Sequence, residues 1–220
     1  MEKPGLGCGT EMMFSVIVPA YNSESFIHKL LASIKCQTFT DYELIVVCDN
    51  CADRTNEIAQ IYGAVTYPVS YKSDGLSRDK GLEIARGDWI LFCDDDDWFL
   101  HEFCFKQLAD EIKKHGDEAD IIAFGYICKG RGYVEPSEHT IFRPGDAHVW
   151  SNALKRSAIA GSKFGDALYF SDTYFIRDAK RRIKRYELFN MPIYYYNFKR
   201  PGSQTDLLIK GQIRQSPVAR

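Results

Sequence analysis

Four consecutive aspartates, Asp94 to Asp97, close an apolar run and are followed at once by Trp98. The residues before them, Trp89-Ile90-Leu91-Phe92-Cys93, are continuous enough to form a buried strand. Carboxylates crowded at one strand end repel one another, and the cluster is costly unless something cationic neutralises it. Hard oxygen ligands without a surrounding histidine and cysteine set favour Mg²⁺ or Mn²⁺, and a substrate's phosphates usually complete the coordination of such ions. The alternative is an acidic turn capping the next helix. That explains one or two aspartates but not four behind a strand.

Other polar residues stand where other apolar runs end. Tyr21 and Asn22 follow the run 14–18 and the Pro19-Ala20 step, and Asp49 follows the run 43–48. A second acidic region comes later, with Asp166 in a Gly-Asp turn and Asp172 in Ser171-Asp172-Thr173. Taken alone, that triplet is an N-cap for the basic helix after it. The basic residues Arg177, Lys180, Arg181, Arg182, Lys184 and Arg185 form a solvated helix face or, as the alternative, a contact for anionic lipid headgroups or a lipid-diphosphate acceptor. Seven cysteines, odd in number and scattered through apolar segments, read as the reduced thiols of a cytosolic protein. Cys48 and Cys51 make a lone C-x-x-C with no second pair or nearby histidine to complete a zinc site. The five histidines lie apart and suggest no ligand set.

These side chains need a scaffold, and the chain supplies an alternating one. Strands are expected at 14–18, 43–48, 64–67, 88–93 and 119–126, with helices at 25–36, through Ile58 and Ile61, at 77–85 and at 101–115. Pro19 stops the first strand because it cannot donate to a ladder. Later the pattern weakens. Residues 129–145 read as a mobile loop, 150–160 and 173–185 as helices, and 191–198 as an aromatic strand. Near-continuous apolar strands between helices predict an α/β fold, a three-layer α/β/α arrangement with a mostly parallel central sheet. In such sheets ligands bind outside the carboxyl ends of the strands, where Tyr21, Asn22, Asp49 and the aspartate run all fall. Periodicity alone predicts a nucleotide site with a metal.

The 220 residues allow one large or two small domains, and a net charge of -2 gives no general basis for binding nucleic acid or an anionic membrane surface. Residues 1–10 are glycine-rich and lack the apolar core of a signal peptide. No stretch approaches the roughly 18 apolar residues of a membrane span. Residues 1–13 are expected to be a leader outside the fold.

Ser15-Val16-Ile17-Val18-Pro19-Ala20-Tyr21-Asn22 resembles the opening strand and loop of family 2 glycosyltransferases, inverting enzymes with the GT-A fold. Cys48-Asp49-Asn50-Cys51-Ala52-Asp53-Arg54-Thr55 is similar to the family's paired-aspartate turn, with Cys48 in place of its first aspartate. Gly75-Leu76-Ser77-Arg78-Asp79-Lys80-Gly81 resembles the family's G-L-S-x-A-R-N-x-G segment, shortened and with Asp79 where asparagine is usual. Asp94-Asp95-Asp96-Asp97-Trp98 looks like its D-S-D-D-W, and Ser171-Asp172 stands where it has a Glu-Asp pair. The Tyr194-Tyr195-Tyr196 and Arg200-Pro201-Gly202-Ser203 stretches are like its tail, so the likeness runs from about Phe14 to Thr205. In this order the motifs are specific.

The resemblance implies a single GT-A domain over 14–205, with a nucleotide-sugar-binding half at 14–126, an acceptor-side half at 127–205 and a tail at 206–220. It implies a donor site of Pro19, Ala20, Tyr21, Asn22, Asp49, Arg78, Asp94 and Asp96. Asp49 would accept a uracil N–H, Tyr21 would stack on the base, and Arg78 would lie against the diphosphate. Asp96 and Asp97 would hold Mn²⁺ or Mg²⁺, with Asp95 a spectator. Asp172 would be the base that takes the acceptor's proton, with Asp166 as its substitute. Trp150 and the loop 129–145 would serve the acceptor side. The implied reaction moves a sugar from a nucleotide-diphosphate donor, expected to be a UDP-sugar, to a glycan or lipid-linked saccharide during cell-surface polysaccharide or lipopolysaccharide synthesis. The setting would be cytoplasmic, with peripheral contact at the inner membrane face as an extension. Rival readings are a sugar-nucleotide pyrophosphorylase, whose early glycine-rich phosphate loop is missing here, an aspartyl phosphatase, and a nucleotide-binding module without turnover.

Overall fold

Alternate residues of the apolar runs face opposite layers, and that division builds the core. In the computed structural model, which describes residues 12–144, 147–167 and 171–211, β1 (Phe14–Ala20), β2 (Tyr42–Asp49), β3 (Val65–Val69) and β4 (Trp89–Phe92) are parallel in the order β3-β2-β1-β4. Phe14, Val16, Val18, Val46 and Leu91 pack under α1 (Ile27–Lys35), α2 (Thr55–Ile61) and α4 (Cys104–His115). Ile17, Ile45, Val47, Ile90 and Phe92 face the other layer, where α3 (Asp74–Ile84) and α6 (Ser171–Ala179) lie. Contact between α3 and β1 is direct: a Cβ on Gly81 would stand 2.3 Å from Ile17 Cγ2, so a side chain there would lift the helix from the sheet.

The sheet continues past β4 through strands of both directions. β8 (Asn152–Lys155) is antiparallel between β4 and β6 (Ile121–Cys128), and β9 (Tyr186–Tyr196) is parallel to β6. β5 (Trp98–Phe99) is antiparallel to β9, and β7 (Gly132–Val134) is antiparallel to β6. β1, β2, β3, β4, β6 and β9 therefore share one direction, which agrees with the expected α/β class. The short α5 (Glu138–Phe142) and α7 (Gln204–Ile209) complete the elements.

Several expectations for the second half need correction. Residues 150–160 are not a helix: a 3-10 turn at Val149–Ser151 leads into β8, because Ala153 and Leu154 are fully buried between two strands that need a partner. The loop 129–145 contains the β6–β7 hairpin and α5, which Ser137 opens with a capping box. The helix expected at 173–185 ends at Ala179, and the last strand begins at Tyr186, earlier than the pattern suggested. Met12 and Met13 are part of the fold, since their carbonyls accept the Asp88 and Trp89 N–H groups at 2.9 Å. The rest of the expected leader and residues 212–220 of the tail lie outside the described residues. Among the described residues no helix is long and apolar enough to cross a membrane.

Candidate functional site

The carboxyl ends of β1, β2 and β4 open into one crevice of about 730 Å³. Its walls are Pro19, Ala20 and Tyr21 from β1, Asp49 and Asn50 from β2, the start of α3, Asp94 to Asp96 after β4, and the segment after β9. That volume suits a nucleotide-sized ligand. Tyr21 stands at the rim, 64% exposed, with its ring open to stack. Asn22 is not on the wall; its Oδ1 accepts the Ala52 N–H at 2.8 Å and ties the loop after β1 to the loop after β2.

Asp49 differs most from the role the resemblance implied. Its carboxylate accepts the backbone N–H groups of Tyr71, Lys72 and Ser73 at 2.8, 3.0 and 2.8 Å, and the Asn50 side-chain amide at 2.8 Å. The Ser77 hydroxyl is a fifth donor at 3.4 Å. A carboxylate offers about four lone-pair sites, and these donors occupy most of them. Asp49 instead fixes the loop that leads into α3, where Ser73 caps the helix by accepting the Leu76 N–H.

The first turn of α3 carries the electrostatic hub. Arg78 is 5% exposed, and its guanidinium donates to Asp74 Oδ2 at 2.5 Å and to Asp94 Oδ1 at 2.7 Å. Asp172 Oδ1 lies 3.9 Å from Nη1, and the Phe164 ring centroid is 5.6 Å away. Burial works against the Arg78 charge, but Asp172, Asp74 and Asp94 together hold it firmly protonated. One buried cation thus joins the aspartate run to the start of α6. Asp74 was missed from the sequence; its i,i+4 spacing to Arg78 was the available signal.

Each member of the aspartate run has a different environment. Burial, with the nearby Asp172 and Asp96 charges, raises Asp94 to about 6 despite Arg78. Burial and Asp96 raise Asp95 to about 7. Asp95 is no spectator: its Oδ2 accepts the Ser23 hydroxyl and, at 3.4 Å, the Tyr21 N–H, so it shapes the rim. Asp96 Oδ2 accepts from Arg200 Nε at 2.5 Å, and Arg200 also lies 4.0 Å over the Phe26 ring. Asp97 is 1% exposed, beneath the crevice wall, with Oδ1 on the Asn197 N–H at 2.8 Å and Oδ2 buried without a hydrogen-bond partner. Burial pushes it well above the carboxylate range. Asp97 is therefore set behind the residues that line the crevice, next to Asp96.

Asp94 and Asp96 fit a cation. Both face the crevice, and each keeps one oxygen outside its arginine pair. An all-oxygen pair of repelling carboxylates suits a hard divalent ion. No group of three His, Cys, Asp or Glu among the described residues surrounds a single point, so the other ligand oxygens would come from substrate.

Asp172 sits in the first turn of α6, where its Oδ2 accepts the Val149 N–H at 3.1 Å. It flanks Arg78 but is not on the crevice wall. Asp166 is exposed on the preceding turn. That turn is held by Asp79, whose two oxygens accept the Phe164 and Gly165 N–H groups at 2.9 and 3.0 Å. A Cβ on Gly75 would stand 2.5 Å from Gly165 O, so α3 and this turn are in close contact. The departure from the usual asparagine thus has a reason, since an amide would set its NH₂ against one of these donors. Asp79→Asn should cost about 1–3 kcal/mol in urea unfolding, the price of an unsatisfied buried donor.

Asn50, Lys72 and Lys199 line the crevice with φ of 53°, 56° and 57°, and Asn22 beside it has φ of 46°. Among the described residues these are the only non-glycine residues in the left-handed region. Backbone strain of this kind gathers at ligand clamps. Tyr196, Lys199 and Arg200 were given no site role from sequence, yet they form one wall. Trp150 is a core residue, 4% exposed, and Trp98 stacks on Tyr195 at 4.0 Å under Lys29, so neither lines the crevice. Part of the basic face is internally paired, Arg182 with Asp178 and Arg185 with Glu118.

Comparison with known proteins adds three likenesses. The chain is 30% identical over 225 residues to EpsJ of Bacillus subtilis (strain 168), described as an uncharacterized glycosyltransferase, covering 90% of this chain and 64% of EpsJ. It is 28% identical over 218 residues to the poly(ribitol-phosphate) beta-N-acetylglucosaminyltransferase TarS of Staphylococcus aureus (strain Mu50 / ATCC 700699), covering 87% of this chain and 36% of TarS. The crystal structure of S. aureus TarS 1-349 in complex with UDP-GlcNAc superposes with a TM-score of 0.77 at 25% identity, over 89% of this chain and 61% of that one. The chain therefore spans less than two thirds of the length of these relatives. The glycosyl transferase family 2 model matches residues 15–183, which takes in the crevice ends of β1, β2 and β4, all of α3 and Asp172; the chain belongs to glycosyl transferase family 2.

Proposed function

We propose that this chain transfers a sugar from a nucleotide-diphosphate donor, a UDP-sugar, to an acceptor hydroxyl with inversion at the anomeric carbon. The observation that carries the reading is the convergence of Asp94, Asp96, Arg200 and the open Tyr21 ring on one crevice, with Asp172 joined to it through Arg78. Family membership and the likeness to a TarS structure holding UDP-GlcNAc support the same donor class.

In this reading Tyr21 stacks on the base, Pro19 and Ala20 form the floor beneath it, and Asp49 keeps the Tyr71–Ser73 backbone in place beside it. The oxygens of Asp94 and Asp96 that face the crevice hold Mn²⁺ or Mg²⁺. Bound there with the diphosphate, the ion would neutralise charge on the leaving group. Arg200 and Lys199 face the same space and can turn to the diphosphate once Asp96 is engaged elsewhere. Asp172 accepts the proton of the attacking hydroxyl, held in orientation by the Val149 N–H. The acceptor is a glycan or lipid-linked saccharide in cell-surface polysaccharide synthesis. This class is supported by the name of TarS, a poly(ribitol-phosphate) beta-N-acetylglucosaminyltransferase.

The deciding experiment titrates UDP, GDP and CDP with and without Mn²⁺, in parallel with Asp96→Ala. Metal-dependent UDP binding that weakens at least about tenfold in the variant is expected. Binding of no nucleotide under any metal condition would remove the transferase reading.

A further inference from the structure

The turn after β2 brings two thiols together. Cys48, one residue before the end of β2, is 2% exposed, and Cys51 packs against the same apolar cluster while remaining partly open to solvent. Asn50, at φ of 53°, bends the chain between them, and Cys48 pairs in register with Ala20 across β1 and β2. Both are free, and the Cys51 thiol also donates to the Ala20 carbonyl at 3.4 Å. Two residues separate the pair, and both line the crevice: Asp49, with its five donors, and Asn50.

We propose that Cys48 and Cys51 are a dithiol modification site, which a low-molecular-weight disulfide converts to an intramolecular disulfide that releases the Asp49 clamp. The consequence for nucleotide affinity rests on the donor site proposed above, whereas disulfide formation and clamp release do not.

The chemistry assigns the two sulfurs different parts. The neighbouring Cys48 thiol lowers the Cys51 thiol to about 7 against the opposing effect of burial, and Cys48 is raised in turn. Cys51 is thus both the accessible sulfur and the better thiolate. Its thiolate attacks one sulfur of the disulfide RSSR, forming a Cys51–SR mixed disulfide and expelling RS⁻. Cys48 then gives up its proton and attacks the Cys51 sulfur, which expels the second RS⁻. The pair loses two electrons and two protons, and RSSR becomes two RSH. Closing the ring draws Cys51 off the Ala20 carbonyl and twists Asp49 and Asn50 between the bonded sulfurs. A carboxylate that serves five donors at once depends on its orientation, so the Tyr71–Ser73 backbone should be freed.

The test uses the full chain carrying Cys36→Ser, in which the tryptic peptide 36–54 retains only Cys48 and Cys51. The protein is incubated with oxidised glutathione, alkylated and analysed by peptide mass, and hydrogen exchange is followed at Tyr71, Lys72 and Ser73. The expected result is a peptide lighter by two hydrogens and closed to alkylation, with exchange at these amides about tenfold faster and restored by dithiothreitol. With Cys51→Ser added, neither change should occur. A peptide that stays alkylated or ends as a glutathione adduct would overturn the proposal, as would a disulfide that leaves exchange unchanged. UDP affinity is measured on the same samples and should fall with oxidation. If the reduced protein binds no UDP, the donor-site reading fails, while peptide mass and exchange still decide the dithiol.

Discussion

Asp172→Asn should retain UDP affinity and lose sugar transfer by about 10²–10⁴-fold, the usual contribution of a positioned general base. The substitution is chosen for what it keeps. Asparagine has the shape of aspartate and an oxygen that can still accept the Val149 N–H, now at 3.1 Å. It also suits the start of α6 as well as aspartate does, so a purely helix-capping role predicts an unchanged rate. Proton acceptance is lost together with one of the three carboxylates around Arg78, and a general-base role places the main effect in kcat rather than in donor binding. Asp166→Asn is the control: Asp166 is exposed on the turn fixed by Asp79, and its loss should leave the rate within about twofold of the parent. A large fall there with Asp172→Asn near the parent rate would reverse the assignment. Initial rates with a UDP-sugar, alongside UDP titration of each variant, separate the outcomes.

The sequence displayed the donor side of the crevice better than the side that closes it. Buried strands such as 14–18 and 43–48 are short, continuous and apolar, and polar residues at their ends were bound to gather at one edge of a parallel sheet. Nothing local could reveal that Arg200 reaches Asp96, 104 positions away, or that Asn197 holds Asp97. The roles of the four aspartates also depend on which carboxyl turns inward, and a run of identical residues hides that. β8 was misread because Ala153, Leu154, Ala158 and Ile159 satisfy a helical spacing as well as a short strand does; the open edges of β4 and β6 decide it. Asp49 shows a different limit. Its place was legible, but four of its five hydrogen bonds come from residues more than 20 positions further on.

Removing the hub cation should have the largest effect on stability. Arg78→Met keeps much of the side chain's length and apolar packing but leaves Asp74, Asp94 and Asp172 facing one another around a vacated charge. Truncating one partner of a buried ion pair typically costs about 3–5 kcal/mol, because the remaining charge loses its compensation. Here three carboxylates share one guanidinium that is 5% exposed, and Asp94 is already raised to about 6 with the arginine present. The variant should therefore unfold at lower urea, with a loss in that range and an unchanged m-value. Arg78→Lys should lose less, since an ammonium retains the charge but not the fork that reaches Asp74 and Asp94 together. The comparison also separates two roles for the residue. If Arg78 serves mainly the donor diphosphate, Arg78→Met will weaken UDP binding and leave the urea midpoint near that of the parent. If it is the hub described above, the midpoint falls without ligand present, and Asp74→Asn, which removes one of its three carboxylates, should shift it by less than Arg78→Met does.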